Sequence, residues 1–442
     1  MKVKWVSLGC ARTLVDSEVA LGFLEKEGHT VVQDLGQAEV AIVNTCGFIE
    51  SAKMESLETL LELCRLKGKG ELRAVVALGC LAQRYGEELR QELKEVDGIV
   101  GTDSYGNLPQ LLQALQRKKK VYDVRPRPRF ILDEYSPRTL LTPRHFAYLK
   151  ISEGCVNACS YCVIPKMKGP HRSRTIDSVM KELEMLVSRF PLSEAILIGQ
   201  DTAAFGYDRD RAGLLPSLLA HLAQSGLVPW IRLLYAHPGH VTQELIDTFA
   251  RYPAICRYVD LPIEHSHDGV LKRMNRGVTR GRMEAVMEAF REALPEIAIR
   301  TTVIVGFPGE TEEEFQDLLG FLKRHRFDRL GAFIFSPEEG SPACRMSGQI
   351  PQEAKEERYR AVMELQREIS RERNESLVGR TLKVLIDEKD PEEPNLYYGR
   401  TEADAPEVDG QVTLRAPSLP VGRFVDAKIE EGLEYDLIGV PS

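Results

Sequence analysis

The chain is predicted to be an α/β protein in three parts. An N-terminal parallel-sheet α/β domain spans 1–117, a linker 118–143, a partial TIM-like (β/α)6 barrel 144–372, and a small antiparallel β-barrel 376–442. Three observations carry this prediction. Short β-rich apolar runs alternate with amphipathic helical periods as far as Phe335, as in parallel sheets joined by crossover helices. Beyond Gly379 the helical periods stop, and short alternating runs are broken by Pro, Gly and Asp. Finally, six of the nine cysteines fall at the ends of predicted strands, where open α/β sheets place their ligand sites.

In the first domain, strands are expected at Val3–Leu8, Val40–Val43, Ala74–Leu78 and Gly98–Val100. Helices are expected near Asp16–Glu27, Ser51–Lys67, Gly86–Glu95 and Leu108–Arg117. Cys10, Cys46 and Cys80 each follow one of the first three strands. A single such thiol would read as core, because free cysteine is among the most buried residue types. Three at equivalent positions point to a shared iron–sulfur cluster. Cys64 lies inside a helix beside Leu63, and it reads as packing.

Arg125-Pro126-Arg127-Pro128-Arg129 and the stretch to Pro143 read as extended linker, because proline interrupts helices. Six βα units follow, with strands at Phe146–Ile151, Ala195–Gly199, Trp230–Leu234, Tyr258–Leu261, Arg300–Val305 and Gly331–Phe335. Chemistry in such barrels belongs at the carboxyl ends of the strands. The first strand runs into Gly154-Cys155-Val156-Asn157-Ala158-Cys159-Ser160-Tyr161-Cys162. Three thiols on so short a loop can hold three corners of an iron–sulfur cube and leave one iron open. A zinc knuckle would need a fourth Cys or His, for which His171 is the closest downstream candidate. Glu264, His265 and His267 follow the fourth strand without an evident third partner for a metal, and Cys256 and Cys344 read as ordinary thiols.

The spacing of Cys155, Cys159 and Cys162, with Tyr161 before the third, resembles the signature of the radical S-adenosylmethionine (SAM) enzymes. Adding Cys10, Cys46 and Cys80 makes the chain similar to the methylthiotransferases of that superfamily. Ser7-Leu8-Gly9-Cys10, Asn44-Thr45-Cys46-Gly47 and Gly79-Cys80-Leu81-Ala82 resemble the branch acting on ribosomal protein S-twelve. So do Gln200-Asp201-Thr202-Ala203-Ala204-Phe205-Gly206 and the string Gly399–Gly410. The resemblance implies two 4Fe-4S clusters, one on each cysteine set, with SAM on the open iron of the second. It implies SAM contacts at Tyr161, Gln200, Asp201, Thr202, Val305 and Gly306, and it makes Arg172 and Arg174 candidates to pair with a carboxylate. It also implies a flavodoxin or ferredoxin as electron donor, a sulfur source the sequence does not name, and a TRAM-like final domain. The implied reaction is β-methylthiolation of an aspartate; the alternative within the family is 2-methylthio modification of a transfer-RNA adenosine.

Composition bears on that choice. The net charge is −8, and residues 379–442 alone carry 7 basic and 14 acidic groups. An acidic terminal domain is a poor clamp for phosphate backbones, which argues against nucleic acid as substrate. It suits a basic ribosomal protein. Nine cysteines, an odd number without a disulfide pattern, fit a reducing cytoplasm. No apolar run approaches the length of a membrane span, and the N-terminus lacks the layout of a signal peptide.

Overall fold

The computed structural model describes residues 1–210 and 213–442. The N-terminal domain runs β1 (Lys2–Ser7), α1 (Ala11–Lys26), β2 (Thr30–Val32), β3 (Val40–Thr45), α2 (Glu50–Gly68), β4 (Ala74–Gly79), α3 (Cys80–Glu92), β5 (Gly98–Val100), α4 (Leu108–Gln116) and β6 (Val121–Asp123). These strands form one sheet in the order β2-β1-β3-β4-β5-β6, parallel throughout. All six residues of β3 and of β4 are buried, as befits central strands covered by helices on both faces.

Here the sequence reading needs three corrections. The sheet has six strands rather than four: β2 and β6 are short, half-exposed edges without a buried apolar run, whereas the equally short β5 is buried throughout. Strand β6 lies in the run expected to be linker, so this sheet extends to Asp123. The remaining linker lies against both neighbouring domains. Its Arg138 is fully buried between Glu18 of α1 and Glu182, and Asp103 receives the backbone N–H groups of Arg129 and Phe130. Helices α1 and α3 also begin earlier than expected, right at their cysteines. Neither has an acidic first turn or a side-chain cap, the usual signs of a helix start. In α3, Tyr85 departs from helical angles just before Gly86, where the start was expected.

The central domain comprises β7 (Phe146–Lys150), β8 (Ser152–Glu153), α5 (Ile164–Lys168), β9 (Arg172–Ser173), α6 (Ile176–Arg189), β10 (Glu194–Ile198), α7 (Leu215–Ser225), β11 (Trp230–Leu233), α8 (Gln243–Arg251), β12 (Ile255–Asp260), α9 (Asp268–Arg273), α10 (Arg280–Ala293), β13 (Ala298–Val305), α11 (Glu312–His325) and β14 (Arg329–Ile334). Six strands form an open parallel sheet, β14-β13-β12-β11-β10-β7, as expected of a partial barrel. Leu183, Leu218, Phe249, Phe290 and Leu318, all on covering helices, pack on its convex face. Phe146, Tyr148, Ile196, Trp230 and Tyr258 line a second cluster, which Val15 and Val19 of α1 complete together with Ala405. The half-barrel is thus closed by two other domains and not by more of its own strands.

Helix α12 (Gln352–Glu375) leads to β15 (Thr381–Lys389), β16 (Leu396–Arg400), β17 (Val412–Arg415), β18 (Phe424–Gly432) and β19 (Leu437–Pro441). They close a barrel in the order β15-β16-β17-β19-β18. Four pairings are antiparallel as expected, but β17 and β19 pair in parallel. The acidic surface expected here is also partly internal. Asp387 meets His145 and Arg400, Glu402 meets Arg257, Asp404 meets Arg329, and Asp409 meets Arg300 and the Tyr258 hydroxyl. Glu194 and Trp230, the first residues of β10 and β11, also touch this domain. It therefore docks toward the amino ends of the central strands, away from the cysteines. Among the described residues no helix is long and apolar enough to cross a membrane.

Candidate active site

Strand β7 delivers the chain through β8 to the loop of Cys155, Cys159 and Cys162. Gly154 begins the turn at φ +75, where a Cβ would lie 2.1 Å from the carbonyl oxygen of Pro170. Only glycine fits there. The loop is held from outside: Ser160 donates from its N–H to the Met274 carbonyl (2.8 Å) and from its hydroxyl to the Arg273 carbonyl (2.9 Å). Asn275 Nδ2 donates to the Ala158 carbonyl at 2.7 Å.

Every sulfur of this set faces an N–H group. The Asn157 backbone N–H reaches Cys155 Sγ (3.4 Å), the Ile164 N–H reaches Cys162 Sγ (3.4 Å), and Arg276 Nη1 reaches Cys159 Sγ (3.7 Å). Burial raises the Cys155 thiol and pushes Cys162 up to about 12. Left alone these groups stay protonated; a bound metal reverses that balance.

The second set is assembled from three crossovers. Cys10 joins β1 to α1, Cys46 follows β3, and Cys80 opens α3. Gly79 sits at φ +99 with its missing Cβ 2.3 Å from Asn44 Oδ1, so the chain can turn into Cys80 only without a side chain. Asn44 Nδ2 donates to the Thr13 carbonyl (3.1 Å) and to Ser17 Oγ (2.8 Å), tying β3 to the helix that carries Cys10. Thr45 Oγ1 donates to the Leu78 carbonyl at 2.6 Å, tying β3 to β4.

The three environments differ. Burial raises Cys80 to about 12 and also raises Cys46. At Cys10 burial acts the same way, but the Arg12 guanidinium, with hydrogen bonds from Arg12 and Thr13, takes the thiol down to about 6. Cys10 is exposed to solvent.

The two sets face each other across the domain interface. Cys80 packs against Val163, the residue after Cys162, and against Met167 of α5. Beside them lies a buried ionic network. Asp16 of α1 pairs with Lys150 and with Lys168 (2.9 Å) and accepts from the Tyr105 hydroxyl (3.0 Å). Glu153 pairs with Lys150 (2.7 Å) and accepts from Gln200 Nε2 (2.7 Å). Burial raises the Glu153 carboxyl, but the two lysines outweigh it and bring it to about 2.

Both thiol sets suit a multi-iron cluster better than a single ion. A lone zinc with Zn–S bonds of about 2.3 Å draws its sulfurs to within about 4 Å of one another. Among the described residues, the trio whose ligand atoms lie within 4.8 Å of one another is Asp201, His237 and His240, not either cysteine set. His171, the zinc-knuckle candidate, is turned to Ser173 Oγ at 3.0 Å. That trio is itself hydrogen-bonded: His237 Nε2 donates to the Arg276 carbonyl, His237 Nδ1 accepts from the Gly239 N–H, and His240 Nδ1 donates to Asp201.

The residues expected to contact SAM are not all placed alike. Tyr161 follows the loop into an apolar cluster with Met274, Phe307 and Phe335. Asp201 Oδ2 receives Asn157 Nδ2 at 2.9 Å, which links it to the cysteine loop. Gln200 borders the loop through Glu153. Thr202 is buried, with its hydroxyl engaged by the Leu234 carbonyl, and Val305 is buried in the main core. The Gly306 N–H donates to Glu310 at 2.8 Å. Arg172 and Arg174 also have internal tasks: Arg174 pairs with Glu182, and Arg172 donates to the Pro170, Lys168 and Phe130 carbonyls. His265 and His267 do not converge with Glu264. His265 Nδ1 accepts the His267 N–H, and His267 approaches Glu314.

Sequence reasoning missed Arg12, Arg276 and Asp16, since a single charged residue in a helix or loop looks like a solvated face. Glu264 was visible, but its environment was not. It is a non-glycine residue at φ +67, its carboxyl raised by burial.

The fold and the loop of Cys155 define a radical SAM protein. The sequence profile of the radical SAM superfamily matches residues 149–322. That of the family described as "Uncharacterized protein family UPF0004" matches 2–101, and that of the TRAM domain matches 378–441. The chain is 45% identical over 442 residues to the ribosomal protein uS12 methylthiotransferase RimO of Desulfitobacterium hafniense, covering 99% of this chain and 98% of that one. It is 42% identical over 440 residues to the RimO of Clostridioides difficile, covering 99% and 98%. The chain belongs to the RimO family. Among solved structures, the radical SAM methyltransferase TsrM of Kitasatospora setae shares the fold, with a TM-score of 0.56 at 18% identity over 77% of this chain and 76% of that one.

Proposed function

We propose that this chain methylthiolates the β-carbon of an aspartate in ribosomal protein uS12. The observation that carries this reading is the meeting of two three-cysteine sets across one domain interface, each at the carboxyl ends of a parallel sheet. Cys155, Cys159 and Cys162 would hold one 4Fe-4S cluster, and Cys10, Cys46 and Cys80 a second. With SAM bound, these groups supply hydrogen-atom abstraction at an unactivated C–H bond, together with the sulfur and the methyl group.

The protein's share is alignment. Asn157, Ile164 and Arg276 direct N–H groups at the sulfurs of the first set, where they would favour the thiolate forms. Asn44 and Thr45 hold the strand ends of the second. The Asp16 network fixes one set against the other. Asp201, Gln200 and Tyr161 border the first loop and are the candidates to touch SAM.

Similarity to the RimO proteins along essentially the whole chain favours uS12 over transfer RNA. The acidic tail supports this less than its composition implied, since Asp387, Glu402, Asp404 and Asp409 serve the fold. Glu388, Glu392, Glu393, Asp426, Glu430, Glu431 and Glu434 remain exposed for a basic partner. A flavodoxin or ferredoxin would supply electrons, and a ribosomal substrate supports a cytoplasmic location. Incubating the cluster-loaded enzyme with uS12 and, separately, with transfer RNA tests the reading. A mass gain on uS12 is expected, and a gain on RNA alone overturns it.

A further inference from the structure

Arg12 is the cation that stands where the two cysteine sets meet. It lies in the first turn of α1, two residues after Cys10, and its guanidinium crosses to the central domain. Nη1 donates to the carbonyl of Gly199, just beyond β10, at 3.2 Å. The guanidinium carbon lies 4.6 Å from the centre of the Tyr235 ring. These contacts orient a planar fork of five donors and leave part of it unused. The side chain is half-buried, and its other near neighbour is the exposed Cys10.

Two further observations point to a ligand. Other arginines buried at the domain interfaces face a carboxylate of this chain: Arg138 faces Glu18, Arg232 faces Glu194, Arg300 faces Asp260, and Arg329 faces Asp404. Among the described residues, Arg12 has no carboxylate within ion-pair distance. Glu153, which does influence it, is already held by Lys150, Lys168 and Gln200. In addition, Tyr235 is held in left-handed backbone geometry at φ +63, with its N–H on Asp260 Oδ2 at 2.9 Å. Such strain persists where the surrounding structure over-determines it, and it clusters at ligand clamps. Here it positions the ring beneath the guanidinium.

We propose that Arg12 receives the side-chain carboxylate of the aspartate that is modified, and so makes the enzyme selective for aspartate. The inference rests on uS12 being the substrate. A bidentate guanidinium–carboxylate pair fixes distance and plane together. An aspartate held this way presents its β-carbon, one bond from the carboxylate, beside Cys10. Asparagine would offer the guanidinium no charge beyond the Cys10 sulfur already beside it and would mispair its remaining donors, the situation that gives polar sites their selectivity.

The test measures binding of labelled uS12, with either aspartate or asparagine at the modified position, to the cluster-loaded enzyme. The wild-type chain is expected to prefer aspartate by about tenfold or more, the range of charge-assisted hydrogen bonds. Arg12→Gln should bind both forms alike with its iron content unchanged, and Arg12→Lys should keep part of the preference. Retained preference in Arg12→Gln overturns the proposal. So does loss of half the iron, which would make Arg12 a support for Cys10 and not a substrate contact. If the wild-type enzyme modifies uS12 but treats the two forms alike, this inference alone fails. If it modifies only RNA, the functional reading fails and takes the inference with it.

Discussion

The two cysteine sets solve one problem in opposite ways. Cys155, Cys159 and Cys162 lie on a single loop, and their spacing is set by local backbone. Cys10, Cys46 and Cys80 come from three crossovers, and they converge only when β1, β3 and β4 pair in register. The first set is a local structure pinned from outside by Met274, Arg273 and Asn275. The second is a product of the whole sheet. The electrostatics differ in parallel. In the dispersed set Arg12 brings Cys10 down to about 6 while burial holds Cys80 near 12, whereas in the loop burial raises both Cys155 and Cys162. A local set tolerates disturbance elsewhere in the chain, and a dispersed one does not.

Removing one proposed ligand from each set separates the two most sharply. Cys10→Ala should abolish thiolation, leave reductive cleavage of SAM intact and reduce iron from about eight to about four per chain. Cys155→Ala should abolish SAM cleavage itself. Product analysis by mass spectrometry, with iron and sulfide counts, reads both; loss of SAM cleavage in Cys10→Ala would show that the sets do not act separately.

The glycines give the next contrast. Gly79→Ala forces a Cβ onto Asn44 and should cost the dispersed cluster while the loop cluster still binds. Gly154→Ala should do the reverse. Iron content and the electron paramagnetic resonance of the reduced clusters distinguish the two outcomes.

Asp16→Asn strikes the junction. It removes the shared counter-charge of Lys150 and Lys168 and should destabilise the chain by about 3–5 kcal/mol, the usual result of breaking a buried ion pair. Denaturant melts would show it, and an unchanged midpoint would mean that the network does not hold the domains together.

The mildest test compares thiols within one set in metal-free protein. With Cys10 lowered to about 6, its thiolate exceeds its thiol by about tenfold at pH 7, so iodoacetamide should label it readily there. Labelling should slow as pH falls through about 6. Cys80, near 12, should stay unlabelled across that range, and peptide mapping reports both.

The loop of Cys155 was legible because its chemistry is written in adjacent residues. The dispersed set was legible one step further on, through the expectation that sites lie at the carboxyl ends of parallel strands. Strands β2 and β6 were not legible, because they are short, half-exposed edges, whereas the equally short β5 is a buried apolar run. The parallel pairing of β17 and β19 left no local mark, since each strand alone reads as an ordinary alternating run. Composition misled most at the tail. It counted the negative charge of residues 379–442 correctly, but it could not show that Asp404 and Asp409 meet Arg329 and Arg300 inside the protein.

From the sequence alone came the three-part order of elements, because hydrophobic period is a property of neighbours along the chain. Tertiary structure decided which charges are partners. Asp16 meets Lys150 across 134 residues, and Arg12 meets Gly199 across 187. It also decided that α1 and the Gly399–Gly410 loop help close the half-barrel. A charged side chain in a helix looks the same in sequence whether it faces water or a buried counter-ion. Only packing, which sets the distance and removes the solvent between such groups, brings Arg12 beside Cys10 and the central domain without a carboxylate partner among the described residues.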